Sequence, residues 1–145
     1  MPQSSSIEIT GFAEADRAAL IGLWQLCGLT RPWNDPSKDI DRKLTDPIGR
    51  LIVAKLGSAV IGSVMYGYDG HRGSINYLAV HPDHQGTGLG RRLMQDAEAA
   101  LLALGCPKIN LLVRPDNSNA AQFYEKLGYR QDDVVMLGKR LIPDA

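Results

Sequence analysis

Residues 77–94, YLAVHPDHQGTGLGRRLM, oblige the chain to form a strand, a tight turn and a helix in immediate succession. Tyr77 to Val80 is apolar and β-prone, and Gln85, Gly86, Thr87, Gly88, Leu89 and Gly90 then give the order Gln-x-x-Gly-x-Gly. Without Cβ atoms at Gly86, Gly88 and Gly90, the backbone can curl its N–H groups toward one point. The first N–H groups of the next helix lack intrahelical partners and join that cluster, and the helix macrodipole adds partial positive charge. Such a junction is suited to hold phosphate.

The helix is legible from spacing. Leu89, Leu93, Ala97, Leu101 and Leu104 form one stripe, closed off by Gly105 and Pro107, which predicts a helix over ~88–104. Its first turn carries Arg91 and Arg92, where the dipole disfavours a cation by ~0.3–1 kcal/mol each. A bound polyphosphate would offset that cost. The bland alternative is glycines that only permit tight helix-on-strand packing, with the arginines solvated, because a lone Gly-x-Gly is a weak signal.

A second motif lies downstream. NSNAAQFYEKLGY (117–129) places Asn117, Ala120, Phe123, Tyr124, Glu125, Gly128 and Tyr129 across a short helix ending at Gly128. Together with LAV and Gln85-x-x-Gly88-x-Gly90, it resembles the GNAT superfamily of acyl-CoA-dependent N-acetyltransferases over residues 50–141. RPWNDP (31–36), YGYDGHRGS (66–74) and LGKRL (137–141) are similar to a narrower group of small bacterial acetyltransferases.

The resemblance implies an α/β (α+β) fold, a mixed and mostly antiparallel sheet of about six to seven strands with helices on both faces. Its central strands, 75–80 and 108–113, would run parallel and splay apart. The strand-helix-strand link supports that parallel pairing independently. The resemblance also implies acetyl-CoA as cosubstrate. Its pantetheine arm would pair with backbone groups of Leu78 and Val80, and its pyrophosphate would occupy Gln85, Gly86, Gly88, Gly90 and Arg91. A substrate amine would attack the thioester directly, with the Val80 N–H stabilising the oxyanion and Tyr124 as general acid. A phenol of pKa about 10 facing a thiol of about 8.5 makes full proton transfer uphill by ~2 kcal/mol, which favours a strong hydrogen bond with partial transfer. Asn117 can bond the cofactor arm or cap its helix.

The general base is a departure. Several family members carry a glutamate before the glycine turn, where this chain has Ser74, and residues 75–80 hold no carboxylate. Deprotonating a lysine side chain at pH 7 costs ~4.6 kcal/mol, an α-amine only ~1 kcal/mol, and a water relay suffices for the latter. Relay candidates are Asp69, His71, His81 and His84. Arg31 to Asp35 is a candidate acceptor-contact segment, in which Trp33 and Asp35 either recognise an amine or serve as core plug and turn residue.

The 145 residues, 44% hydrophobic, predict one domain, 1–145. Acidic and basic residues number 16 each, so no global field attracts nucleic acid or an anionic membrane. Cys27 and Cys106 have no metal-spaced neighbours and read as buried thiols; no metal site is expected. MPQSSSIEIT lacks a basic start and an apolar run, and no stretch of about 18 apolar residues occurs, so the expected location is the cytoplasm. The remaining expectations are strands 7–12, 50–56, 59–68, 129–130 and 134–141, the hairpin at Gly57-Ser58, and helices 14–27, a short one capped by Ser37, and 118–127. The order is β-α-α-β-β-β-α-β-α-β-β. Strand 134–141 is the expected sheet edge for a homodimer. An enzyme acting on a small-molecule, peptide or protein amine is one reading; a non-catalytic acyl-CoA sensor or partner-binding domain of the same fold is the other.

Overall fold

A computed structural model describes residues 6–144. Strand β1 (Ile7–Gly11) leads through a 3-10 turn at Glu14–Asp16 into helix α1 (Arg17–Leu26), followed by α2 (Pro36–Leu44). Three antiparallel strands come next, β2 (Arg50–Leu56), β3 (Ala59–Tyr68) and β4 (Gly73–Val80). Helix α3 (Leu89–Ala103), β5 (Ile109–Leu111) and α4 (Ser118–Lys126) follow. The sheet order is β1-β2-β3-β4-β5, with only β4 and β5 parallel.

Each face of the sheet buries a separate cluster. Leu89, Leu93, Ala97 and Leu101 of the predicted stripe, with Met94 beside them, press α3 against Ala54, Ile61, Val64 and Ile75, with α4 joining through Phe123 and Tyr124, whereas Leu104 is the helix C-cap and 45% exposed. On the opposite face Leu20, Leu23 and Trp24 of α1 and Ile40 of α2 pack on Leu51, Val53, Met65 and Ala79. Alternation along β4 therefore sends Leu78 and Val80 toward α3 and α4, and Tyr77 and Ala79 toward α1 and α2.

Three expectations need correction. Helix α2 is capped by Asp35, whose Oδ1 accepts from Ser37 N (2.9 Å) and Lys38 N (3.3 Å), with Pro36 rather than Ser37 opening the helix. The sheet has five strands, because residues 129–130 and 134–141 are irregular. Val134, Val135, Met136 and Leu137 are largely exposed, so the apolar composition that suggests a strand finds no ladder there. Finally, Cys106 is buried but Cys27 only partly so. Among the described residues no helix is long and apolar enough to cross a membrane.

Candidate active site

The parallel ladder of β4 and β5 is short: Gly73, Ser74 and Ile75 pair with Ile109, Asn110 and Leu111, and β4 then runs on to Val80 alone on that side. A hydrogen bond from His81 N to the Ile61 carbonyl (2.8 Å) makes Gly62 and Val80 a non-hydrogen-bonded pair. The N–H and C=O of Val80 consequently point away from β3, into the gap where β5 has ended. The carbonyl accepts from Gln85 Nε2 (3.1 Å) and the Cys27 thiol (3.4 Å).

Beyond Val80 the chain enters the glycine turn. His81 Nδ1 accepts from Asp83 N (3.1 Å), and Thr87 Oγ1 donates to the His84 carbonyl (2.6 Å), closing the loop. Gly86 (φ +78°) and Gly88 (φ +88°) occupy left-handed backbone, and a Cβ on either would meet open space. Glycine is needed there for conformation, while the space in front stays clear. Gly88 begins α3 without any side-chain cap, and the first turn carries no acidic residue. Its N–H groups, with exposed Arg91 and Arg92, are thus left for an external anion. Gly90 serves packing instead. A Cβ on it would lie 3.2 Å from Phe123 Cζ and 3.6 Å from Val80 Cγ2, so its absence lets α3, α4 and the end of β4 converge.

Tyr124, next to Phe123 on α4, packs against the cluster on the same face. Its ring lies edge-on to Phe123 (5.2 Å) and Tyr129 (5.7 Å). Tyr129 in turn donates to Glu98 Oε2 (2.6 Å), tying the end of α4 to α3. Burial pushes the Tyr124 hydroxyl up to about 12, so it remains a proton-bearing donor at neutral pH. Asn117 caps α4 through Oδ1 (3.1 Å to Ala120 N), which engages the oxygen of its amide.

On the other face of the gap lies a cleft of about 620 Å³, bounded by Asn76 and Tyr77 of β4, Leu112 and Arg114 just past β5, and Asn34 and Asp39 from the α2 side. A β-bulge sets Tyr77 and Leu78 opposite Val64, and Tyr77 takes φ +52°. Three contacts hold it there. Its ring stacks on Trp24 at 3.7 Å, and its carbonyl accepts from buried Ser63 Oγ (2.7 Å), which accepts from Trp24 Nε1 (2.9 Å). Its hydroxyl donates to Asp39 Oδ2 (2.6 Å), which also accepts from Asn34 Nδ2. Burial and the adjacent carboxylate push the Tyr77 hydroxyl pKa upward.

The structure does not bring the other acceptor-side candidates into this cleft. Trp33 is 52% exposed, neither core plug nor cleft wall, and Asp35 is engaged as the α2 cap. Asp69 accepts from His71 N (2.8 Å) and Arg72 N (2.7 Å) in an exposed turn, bonds that lower its pKa and make it a poor base. Asp69 and His71 precede β4, a strand-length of roughly 23 Å from Val80. Of the Arg31–Asp35 segment only Asn34 lines the cleft. Sequence reasoning missed Asp39 and Tyr77 as a pair; the available signal was the i, i+3 spacing of Asp39 and Arg42 on one side of α2. Among the described residues no group of three or more His, Cys, Asp or Glu could hold a metal.

With this geometry in view, the chain matches the acetyltransferase (GNAT) family model over residues 18–129. It is 51% identical over 138 residues to an acetyltransferase of Yersinia enterocolitica, covering 95% of this chain and 98% of that one. An acetyltransferase of Sodalis glossinidius is 51% identical over 139 residues, with 95% and 98% covered. The fold matches an aminoglycoside N-acetyltransferase, AAC(6')-Iy, solved with CoA (TM-score 0.79, 16% identity, covering 98% and 99%).

Proposed function

The chain belongs to the acetyltransferase (GNAT) family and is an acyltransferase, and from that premise we propose that it transfers the acetyl group of acetyl-CoA directly to a primary amine of a small molecule, peptide or protein. The observation that carries this reading is the arrangement at the end of β4. An outward Val80 N–H, an uncapped glycine-turned helix start and the Tyr124 helix meet at one gap, with a separate cleft on its far side. The CoA seen in the similar aminoglycoside acetyltransferase supports the same ligand here.

The ligand's chemistry fits the residues present. Gln85, Gly86, Gly88 and Arg91 frame the anion site, Gly90 lets α4 close in beside it, and the diphosphate would meet backbone N–H groups that no side chain caps. Leu78 and Val80 offer the edge of β4 to an amide-bearing arm, and the nitrogen end of Asn117 adds a donor. The thioester supplies an acetyl carbonyl ready for attack. Val80 N–H donates to the carbonyl oxygen as charge develops there. The amine lone pair forms the C–N bond, the C–S bond breaks, and Tyr124 hydrogen-bonds the departing thiolate. With its pKa at about 12, complete proton transfer from Tyr124 to a thiol of about 8.5 is uphill by on the order of 5 kcal/mol, so the hydrogen bond is the contribution. The proton released by the amine passes to water.

The proposed setting is the cytoplasm, where Cys27 and Cys106 stay reduced. Thermal unfolding with acetyl-CoA, CoA and ATP tests the ligand: stabilisation by the two CoA species and not by ATP is expected. Equal stabilisation by ATP would contradict a dedicated CoA site. Free-thiol release across an amine panel tests transfer, and no release with any amine would leave only binding.

A further inference from the structure

The cleft on the α2 side carries a charge arrangement that deepens the reading above and rests on it. Most of its charged groups are mutually satisfied. Asp46 uses Oδ1 on Ile48 N (3.0 Å) and Oδ2 on Lys43 (3.0 Å), which occupies both. Arg42 is committed to the nearly buried carboxylate of Asp144 at 2.7 Å. Two groups differ. Asp39 has one oxygen fixed by Tyr77 and Asn34, and its Oδ1 accepts from Arg42 (3.3 Å), a guanidinium shared with Asp144, so that only this longer ion pair is open to exchange with an incoming cation. Arg114, at the β5 side of the same cleft, has no acidic partner among the described residues. Leu29, Met65 and Leu112 supply an apolar lining.

A carboxylate held by a phenol and an amide keeps its position as a ligand arrives, and a free guanidinium recognises a planar anion with two parallel bonds. Tyr77 stands three residues before Val80 on the same strand, so an amine bound at Asp39 enters the gap from the face opposite the glycine turn. We propose that Asp39 binds the ammonium of the acceptor and Arg114 its carboxylate, making the acceptor a small amino-acid-like molecule. Asp39 concentrates and aims the amine, and the proton leaves to water before the lone pair attacks.

The test compares amino acids with their decarboxylated analogues, by thiol release with acetyl-CoA saturating. Wild-type protein should favour the carboxylate-bearing acceptor by about 10-fold or more in kcat/KM, and Arg114→Gln should abolish that preference. Asp39→Asn, which can still accept from Tyr77, should raise the acceptor KM about 10- to 100-fold while acetyl-CoA stabilises the variant as it does wild type. Should Asp39→Asn fail to fold, Tyr77→Phe replaces it and must raise the same KM at least about 3-fold. Asp41→Asn, on the exposed side of α2, is the control and should match wild type. An unchanged acceptor KM in a folded, acetyl-CoA-responsive Asp39→Asn protein overturns the ammonium site. Equal use of each acid and its decarboxylated analogue overturns the carboxylate site. Lack of wild-type stabilisation by acetyl-CoA overturns the transfer reading itself, and this assignment with it.

Discussion

Tyr124 keeps its proton because burial removes the solvent that would stabilise a phenolate, and its hydroxyl stays available as a donor. Tyr124→Phe should lower kcat by about 100-fold or more, with the thermal shift given by acetyl-CoA preserved. A lost shift would reassign the residue to binding. At Gly88 the left-handed backbone makes Gly88→Ala cost about 1–2 kcal/mol and misdirects the N–H groups that follow, so acetyl-CoA stabilisation should drop in calorimetry or thermal unfolding. Asp46 bears on acid stability. The Ile48 amide, then Lys43, hold its carboxyl down at about 2 against an ordinary 3.8. The stabilisation is complete above the unfolded value and is lost as pH falls from 3.8 through about 2. Asp46→Asn should therefore be less stable than wild type at pH 7, with the gap closing toward pH 2 in urea titrations; a gap independent of pH would contradict this.

At the scale of elements, the bulge in β4 joins the two faces of the sheet. Ser63 bridges Trp24 of α1 to the Tyr77 carbonyl, so Ser63→Ala leaves a buried indole N–H without a partner. A loss of about 1–3 kcal/mol is expected in denaturant unfolding, together with a raised amine KM as Tyr77 and Asp39 lose their alignment. The glycine turn, the α3 stripe and the hairpin at Gly57-Ser58 were legible because local spacing determines them. Asp39 and Tyr77 were not: 38 residues separate them, and only packing of α2 against the bulge makes them neighbours. The α2 cap was misplaced by two residues because Asp35 and Ser37 have similar capping propensity, and Pro36 decides between them by suiting the first helical position. Residues 134–141 read as a strand from composition, yet a strand exists only where a ladder forms.

Across the whole molecule, the α3/α4 face and the α1/α2 face approach one gap from opposite sides, which leaves room for two substrates to meet there at once. The outer edge of β5 and the exposed Val134, Val135, Met136, Leu137, Leu141 and Ile142 are an uncovered surface whose role in self-association sedimentation can test. Leu137→Asp should shift sedimentation toward monomer, and a wild type already monomeric at working concentration would contradict that. Nothing in the two-sided site calls for an acetylated side chain on the way. Initial rates of thiol release, with acetyl-CoA and amine varied together, bear on this most directly. Double-reciprocal lines that intersect are the predicted result; parallel lines, the signature of an acetyl-enzyme formed before the amine binds, would contradict direct transfer across the gap.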